Sequence, residues 1–403
     1  MEIKRYEDWS LALHQRAVLQ RIPLGGTIEV TRRCPHTCVH CYNNLLLADE
    51  QARRSELTYE EHCRVLDEIT EAGCLWLLYT GGEIFARKDF LDIYAYANQK
   101  GLLVTLFTNG TLITPKIADF LVKWRPFAIE ITIYGRTKET YEKITGIPGS
   151  FERCMRGIQL LMDRGLPLKL KTVVLTLNKH EVWDMKRFAE EDLAVEFKFD
   201  AMINPRIDCS LSPLNVRLTP LEVVELDLRD AKRVEEWKKF AQWVNGSNNP
   251  PDHGDEMYEC SAGAVSFAID PYGKLSICSF LCGNRWDLRR GSFRQGWEAS
   301  LLEERRKKIT KKTKCWACGI RAMCGMCPAN GELENGNPEI PVDFLCQVAH
   351  LRAYALGLPV APHGECEYCE GGARYKELMQ SIATLHELKN SASRNTLREV
   401  LIN

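Results

Sequence analysis

The 403-residue sequence lacks any long hydrophobic run and any excess of one charge sign. The longest apolar stretches, such as "CLWLLY" and "GLLVTLF", are far too short to span a bilayer. The first residues, "MEIKRYEDWS", are charged and carry no apolar core, which argues against a secretory signal. The formal net charge of -1 shows none of the excess positive charge that is typical of proteins that bind nucleic acid or anionic membranes. These absences predict a cytoplasmic protein that binds neither nucleic acid nor membrane.

Cysteine is the residue that the sequence has in unusual number, with 17 in all. Cysteines stay reduced in a cytosol, so metal binding is a better explanation for them than a disulfide framework. Cys63, Cys74 and Cys154 lie singly in helix-like or strand-like segments. We expect these three to be small buried hydrophobes.

Six β-rich runs alternate with helical stretches. They are "GTIEVT" (26–31), "LWLLYT" (75–80), "LVTLFT" (103–108), "AIEITIY" (128–134), "LKLKTVVL" (168–175) and "VEFKFD" (195–200). Thr58 and Glu61 form a capping box at one helix start, and Thr114 followed by Pro115 marks another. The alternation predicts parallel β/α units, in an open sheet or a barrel, with all strand carboxyl ends on one rim.

Three motifs follow the first three strands and so fall on that rim: "CPHTCVHC", "TGGE" and "TNGT". The first has the spacing C-x3-C-x2-C. Three thiolates on one loop suit three corners of a cubane iron–sulfur cluster and leave one iron without a protein ligand. A fourth ligand from His36 or His40, which would make a zinc knuckle, is the alternative.

The C-x3-C-x2-C loop after a first strand, with "GGE" after the second, resembles the radical S-adenosylmethionine (SAM) superfamily. The resemblance covers roughly residues 25–215 and implies a partial (β/α)6 TIM-like barrel. It implies that Cys34, Cys38 and Cys41 hold a [4Fe–4S] cluster whose open iron binds S-adenosylmethionine. One electron then cleaves this cofactor to a 5′-deoxyadenosyl radical, which abstracts hydrogen from a substrate.

The same resemblance implies the contacts to S-adenosylmethionine. Gly81, Gly82 and Glu83 match the motif that meets the methionine amino group, and glycines permit close backbone approach. Asn109 and Thr132 stand where family members often contact the ribose, although "TNGT" is also a common turn sequence.

A second cysteine array follows the Pro/Gly/Asn-rich stretch at 245–257. It runs from Cys260 through Gly273 and "CWACGIRAMCGMC", and it resembles the SPASM extension, which carries auxiliary clusters in many radical SAM enzymes. One departure is the spacing before Cys327, which is x2 where x3 is commoner. The resemblance implies two auxiliary clusters. The outer cluster would have four ligands, Cys315, Cys318, Cys324 and Cys346. The inner cluster would have three, Cys260, Cys278 and Cys327.

Several roles around this array stay open. The fourth ligand of the inner cluster is Cys282, Cys366, Cys369 or none, and an open iron there would bind a substrate thiolate or amide. Cys366 and Cys369 form one more CxxC, which ligates an auxiliary cluster, caps a zinc site or does only local redox chemistry. One or two structural zincs are the alternative for the whole array. Cys209, after the sixth strand, is a hydrogen-atom donor or a structural thiol.

The expected fold class is α/β, a partial (β/α)6 barrel followed by a small cysteine-rich iron–sulfur domain. The expected parts are an N-terminal lead-in (1–24), the radical SAM core (25–215), a helical bridge and linker (216–258), a SPASM domain (259–372) and a C-terminal helical tail (373–403).

The resemblance implies an enzyme that modifies a peptide or protein by crosslinking, thioether formation, epimerisation or oxidation. A radical enzyme acting on a small molecule or tetrapyrrole is the second hypothesis, and a non-catalytic iron–sulfur electron carrier is the third. An electron carrier needs four ligands per cluster, whereas the first loop offers three. About 25 residues precede the first strand, too few for a leader-binding domain, so we expect leader recognition from a separate partner or from the substrate. A reductant such as flavodoxin or ferredoxin is a further expected partner.

Overall fold

The computed structural model describes residues 6–246 and 255–400, so most of the predicted linker at 245–257 lies outside the described residues. The chain divides into two compact units. The first consists of Met1–Arg217 and Tyr258–Lys307, and the second of Leu218–Met257 and Lys308–Asn403. No helix among the described residues is long and apolar enough to cross a membrane.

A nine-stranded sheet forms the centre of the first unit, within the residues described. Its strands are β1 (Gly25–Thr31), β2 (Trp76–Gly81), β3 (Leu103–Thr108), β4 (Ala128–Thr132), β5 (Leu168–Val173), β6 (Phe197–Asp200), β7 (Ser266–Ile269), β8 (Lys274–Ser276) and β9 (Trp286–Asp287). Their spatial order is β9-β8-β7-β1-β2-β3-β4-β5-β6. Strands β1 to β6 lie side by side in chain order and are parallel, so their carboxyl ends share one edge.

The described part of the chain contains fifteen α-helices. They are α1 (Tyr6–Gln20), α2 (Glu50–Ser55), α3 (Tyr59–Glu71), α4 (Phe90–Gln99), α5 (Pro115–Lys123), α6 (Lys138–Thr145), α7 (Ser150–Met162), α8 (Val182–Arg187), α9 (Pro220–Arg229), α10 (Ala231–Gly246), α11 (Phe293–Gln295), α12 (Leu301–Arg305), α13 (Pro328–Asn335), α14 (Asp343–Ala355) and α15 (Tyr375–Val400). A short strand pair, Arg33–Cys34 with Leu45–Leu46, bounds the loop after β1.

The hydrophobic pattern explains why these segments form strands. In β6, Phe197 and Phe199 are buried and alternate with exposed Lys198 and Asp200, which is the period of two expected for a strand with one buried face. In the central strand β1, burial is nearly continuous, as expected where both faces of a parallel sheet are covered. The six predicted strands and the α/β partial-barrel class are confirmed.

The helix signals are also confirmed. Thr58 and Glu61 form the reciprocal capping box of α3, and Thr114 caps α5 with Pro115 in its first turn. The predicted lead-in and tail helices correspond to α1 and α15.

The sheet extends beyond the predicted strands. Strand β7 pairs in parallel with β1 on the side opposite β2, and β8 and β9 add two antiparallel edge strands. Residues near Cys278 therefore pack with the first unit. The two compact units are defined by which residues pack together, whereas the predicted domains were defined by sequence motifs. The predicted domain boundaries therefore stay a prediction.

The second unit contains α9, α10 and α13 to α15. The sequence predicted one helical stretch where α9 and α10 are separate. Asp230 has extended backbone, and its carboxylate accepts hydrogen bonds from the backbone N–H groups of Lys232 and Arg233. Asp230 therefore acts as an N-cap that begins a new helix. Within this unit the Arg352 guanidinium binds the Asp227 carboxylate at 2.8 Å, and both side chains are buried.

Candidate active site

A cavity of about 450 Å³ opens at the carboxyl-end edge of the sheet, with walls from the ends of β2, β3, β4 and β5. The structure brings most of the predicted core site residues together in its lining. These are Cys34, Cys38, Cys41, Gly81, Gly82, Asn109 and Thr132. Glu83, the remaining predicted cofactor contact, is fully buried next to them.

The three thiols lie in a desolvated setting. Burial raises the pKa of Cys34 to about 12, with a further rise from the Glu83 carboxylate. Burial likewise raises the pKa of Cys38 and of Cys41 above the ordinary thiol value. A bound metal overcomes such a shift, because a coordinated thiol is deprotonated outright. Donors are already in place for a thiolate, since His36 N lies 3.4 Å and Asn109 Nδ2 lies 3.6 Å from Cys34 Sγ.

Polar side chains hold the cysteine loop in shape. Glu29, buried in β1, accepts a hydrogen bond from Asn43 Nδ2 at 3.0 Å, and the Arg32 guanidinium lies 3.2 Å from its carboxylate. From beyond β6, Arg206 Nη1 donates to the carbonyl oxygen of Cys41 at 3.0 Å. Sequence reasoning missed both Glu29 and Arg206, because nothing in their local sequence marks them as partners of the loop.

The "GGE" segment packs directly on the backbone that precedes Cys34. Gly82 N donates to Thr31 O at 2.7 Å, and Glu83 N donates to Arg33 O at 3.0 Å. A Cβ on Gly81 would lie 2.0 Å from Thr31 O, and Gly81 has a φ of +139°. The glycines therefore permit two loops of the same rim to approach each other, in addition to any approach to a cofactor.

Glu83 of the "TGGE" motif binds residues of the "TNGT" motif. Its carboxylate accepts hydrogen bonds from Thr108 Oγ1 at 2.7 Å, from Asn109 N at 2.8 Å and from Phe85 N at 3.2 Å. Burial raises the pKa of Glu83 to about 7, and these three donors oppose the rise. Asn109 Oδ1 in turn accepts from Thr111 Oγ1 and N, which turns the Asn109 amide nitrogen toward Cys34. In this structure Glu83 is a support for the loops.

The histidines of the cysteine loop line the cavity without gathering around one ion. His36 Nε2 and His40 Nδ1 are buried and have no hydrogen-bond partner within the described residues. The His40 ring packs against Tyr134, with 5.0 Å between ring centroids. Among the residues described, the group of histidine, cysteine and acidic ligands that fits a single metal ion lies elsewhere in the chain. The choice between a cluster and a zinc knuckle on this loop stays a prediction.

Apolar and aromatic side chains complete the wall. Tyr134, Phe107 and Phe280 line the cavity, and the Phe280 ring packs against Tyr42 at 5.0 Å between centroids. Lys171 Nζ lies over the Phe107 ring, and burial lowers the pKa of Lys171 to about 8. Such a wall suits a site from which water is largely excluded. The sequence offered no signal for these aromatic contacts, since each depends on which strands become neighbours.

The predicted outer cysteines lie in the second unit. Cys315, Cys318 and Cys324 are half-buried and Cys346, on α14, is buried. Burial raises the pKa of Cys318 to about 12, and the nearby Cys324, Cys315 and Cys366 thiolates add to the rise. Repulsion of this kind acts between neighbouring like charges.

The predicted inner cysteines are placed as follows. Cys260 is exposed and Cys278 half-buried in the first unit, and Cys327 directly precedes α13 in the second. Cys282, one of the candidates for the fourth inner ligand, lies with its Sγ 4.0 Å from Cys209 Sγ. Cys366 and Cys369, the other candidates, lie with two histidines.

Comparison with known proteins identifies the first unit. A model of the Radical SAM superfamily matches residues 28–189, which include the cysteine loop and the "GGE" and "TNGT" motifs. Residues 28–189 of the chain form a radical SAM domain. The protein is a radical SAM enzyme, and its cofactors are S-adenosylmethionine and iron–sulfur clusters.

Relatives of this radical SAM enzyme extend past the matched domain. The AdoMet-dependent heme synthase of Methanosarcina barkeri (strain Fusaro / DSM 804) is 28% identical over 324 residues, which are 77% of this chain and 92% of that protein. The antilisterial bacteriocin subtilosin biosynthesis protein AlbA of Bacillus subtilis (strain 168) is 24% identical over 77% of this chain and 68% of its own. The crystal structure of Streptococcus suis SuiB bound to precursor peptide SuiA aligns with a TM-score of 0.64 at 17% identity, over 84% of this chain and 80% of that one. This last likeness concerns the fold.

Proposed function

We propose that this radical SAM enzyme generates a 5′-deoxyadenosyl radical in the cavity of the first unit and abstracts hydrogen from a peptide. The observation that carries the proposal is the shared lining of that cavity by the three loop cysteines and four predicted cofactor contacts. The three loop thiols and the cavity lie on one rim, as a reaction at a bound cofactor requires.

The residues fit a cluster bound on one loop. Cys34, Cys38 and Cys41 would ligate three irons, with N–H donors already aimed at Cys34 Sγ. Gly81 and Gly82 would leave room beside the open iron for the methionine end of S-adenosylmethionine, with Asn109 and Thr132 toward its ribose. When bound, these groups supply reductive cleavage and the hydrogen-abstracting radical. The protein orients them and excludes water.

The cysteines after residue 258 would serve auxiliary clusters. Cys315, Cys318, Cys324 and Cys346 would hold an outer cluster within the second unit. The inner cluster stays the expectation drawn from the resemblance. We propose that these clusters accept the electron left after hydrogen abstraction or bind the substrate.

Two observations support a peptide as substrate. AlbA, which is named for the biosynthesis of a bacteriocin, matches 77% of the present chain. SuiB, which has a similar fold, was crystallised with its precursor peptide SuiA. A separate leader-binding protein and a one-electron reductant such as flavodoxin or ferredoxin would complete the system. A tetrapyrrole is the second candidate, because the heme synthase match covers 92% of that relative.

The test is an anaerobic assay of the cluster-loaded protein. S-adenosylmethionine and dithionite are added, and 5′-deoxyadenosine is measured by mass spectrometry. We expect deoxyadenosine from the wild type and from Cys63→Ala, a helix cysteine outside the cavity, and none from Cys34→Ala. Wild-type cleavage by Cys34→Ala would refute the core assignment. Candidate precursor peptides and an iron porphyrin are then added in parallel, and the one that stimulates deoxyadenosine formation and gains a new mass identifies the substrate class.

A further inference from the structure

Four buried side chains in the second unit converge on one point. The point lies beside Cys346, one of the expected outer ligands, whose Sγ is 3.8 Å from His350 Nδ1 and hydrogen-bonds with Cys366. His350 lies on α14, and His363, Cys366 and Cys369 lie in the segment that follows this helix. Their ligand atoms all lie within 4.8 Å of one another, and all four residues are buried. In sequence the last three form an H-x2-C-x2-C array.

Three sulfur–nitrogen distances within this group are close to the edges of a tetrahedron around one ion. Cys366 Sγ and Cys369 Sγ lie 3.4 and 3.6 Å from His350 Nε2, and Cys369 Sγ lies 3.3 Å from His363 Nδ1. A tetrahedral zinc with ordinary Zn–S and Zn–N bonds separates sulfur from nitrogen by about 3.6 Å. The side chains therefore need little movement to accept the ion.

The His350 ring is already oriented for a metal. Its Nδ1 lies 2.8 Å from the carbonyl oxygen of Cys346, so Nδ1 carries the proton and donates to that oxygen. The lone pair of Nε2 then faces the two thiols. Metal-binding histidines ordinarily donate their second ring nitrogen in this way. For His363, Nδ1 also lies 2.9 Å from Ala361 O, and an ion bound at Nδ1 would replace that contact.

The backbone of the loop is shaped to present both sulfurs. Cys369 N donates to Cys366 O, and Gly372 N donates to Cys369 O at 2.8 Å. A Cβ on Gly372 would lie 2.5 Å from Cys366 O, so the turn admits only glycine there. A turn between two cysteines spaced C-x2-C is the usual geometry of a zinc-binding loop.

The donor set distinguishes zinc from an iron–sulfur cluster. A cubane holds its ligands on separate irons and prefers thiolates, whereas two sulfurs and two nitrogens around one point suit a single zinc. We propose that His350, His363, Cys366 and Cys369 form a closed, structural zinc site in this chain. The site fastens the loop to α14, the helix that also carries Cys346.

The test combines metal analysis with X-ray absorption at the zinc edge. The protein is expressed with zinc and iron, purified anaerobically without chelators, and analysed with its iron–sulfur clusters in place. We expect about one zinc per chain, with a first shell of two sulfur and two nitrogen scatterers. Absence of zinc from the wild type, or a shell of four sulfurs, would overturn the proposal.

Variants separate this site from the cluster ligands. In Cys369→Ser and in His363→Ala we expect zinc to fall by more than half while iron per chain stays at the wild-type level. Cys63→Ser, which changes a cysteine of α3, controls for the loss of any thiol and should retain both metals. A parallel loss of iron in both site variants, with zinc unchanged, would instead assign these residues to an auxiliary cluster and refute the zinc site.

Discussion

Replacing Glu83 with glutamine tests the role of this carboxylate as a support between two rim loops. The side chain is fully buried and accepts three hydrogen bonds. One oxygen receives Thr108 Oγ1 and Phe85 N, and the other receives Asn109 N. Glutamine keeps one oxygen, so its NH2 group must face at least one backbone N–H. Leaving one buried donor unpaired costs about 1–3 kcal/mol.

The effect of Glu83→Gln should depend on pH. Burial raises the pKa of Glu83 to about 7, above the reference value of 4.5 that applies to the unfolded chain. The folded state therefore holds the proton more tightly, and wild-type stability falls as pH rises from 4.5 to about 7. Each pH unit within that window changes the free energy of unfolding by about 1.4 kcal/mol. Glutamine does not titrate, so the variant lacks this fall.

Thermal unfolding of the cluster-loaded proteins, followed by circular dichroism under anaerobic conditions, measures the difference. We expect Glu83→Gln to unfold at a lower temperature than the wild type at pH 5.5, with the gap narrowing or reversing at pH 8. Glu60→Gln, on the exposed face of α3, is the matched control and should follow the wild type at both pH values. A gap for Glu83→Gln that stays constant or widens toward pH 8 would refute the reasoning.

Two further predictions concern buried polar contacts. Asn109→Leu removes the N–H donor 3.6 Å from Cys34 Sγ. Because that donor stabilises the more negative reduced cluster, the midpoint potential should fall by roughly 60 mV for each 1.4 kcal/mol lost. Potentiometric titration followed by electron paramagnetic resonance checks this, and an unchanged potential would contradict it. Arg352→Met removes one buried partner of the Asp227 carboxylate, which keeps its ion pair with Arg233. The free energy of unfolding should therefore fall by about 1–3 kcal/mol, which thermal unfolding measures. Met323 O also loses its bond to Arg352 Nη1, and a variant as stable as the wild type would show that the pair contributes little.

The sequence predicted the parts of the fold that depend on local signals. These signals include the alternating apolar residues in "FKFD" and the helix caps at Thr58 and Thr114. Each depends on residues that are close in sequence, so the predicted strand and helix starts are present in the folded chain. The rim site followed from topology, because parallel strands place all their carboxyl ends on one edge. Three motifs that each follow a strand therefore had to meet.

Contacts that are distant along the chain were beyond local reasoning. Strand β7 pairs with β1 across more than half of the sequence, and its four residues carry no signal for that partner. Arg206 reaches Cys41 O only because β6 ends near the cysteine loop. His363 is different, because the H-x2-C-x2-C spacing that includes Cys366 and Cys369 is visible in the sequence. His350 lies on α14 and has no such signal.

Gly82→Ala distinguishes two reasons for the glycines of the "GGE" motif, namely close packing against the cysteine loop and room for S-adenosylmethionine. A Cβ on Gly82 would lie 2.5 Å from the carbonyl oxygens of Arg32 and Arg33. These are backbone atoms directly before Cys34 and cannot rotate away, so the cysteine loop itself must shift. Gly25→Ala in β1 is the control, because its nearest neighbour, Trp76 O, is 4.0 Å away.

We expect Gly82→Ala to hold less iron in the core cluster than Gly25→Ala, and to form 5′-deoxyadenosine more slowly in proportion to that loss. This outcome follows if the glycine exists so that the two loops can pack, because a displaced loop binds its cluster poorly. Full iron loading of Gly82→Ala together with loss of cofactor cleavage would point to the other reason. In that case the protein would accommodate the alanine methyl group, and the methyl group would obstruct S-adenosylmethionine. The explanation that Gly82 is needed for the two loops to pack would then be wrong.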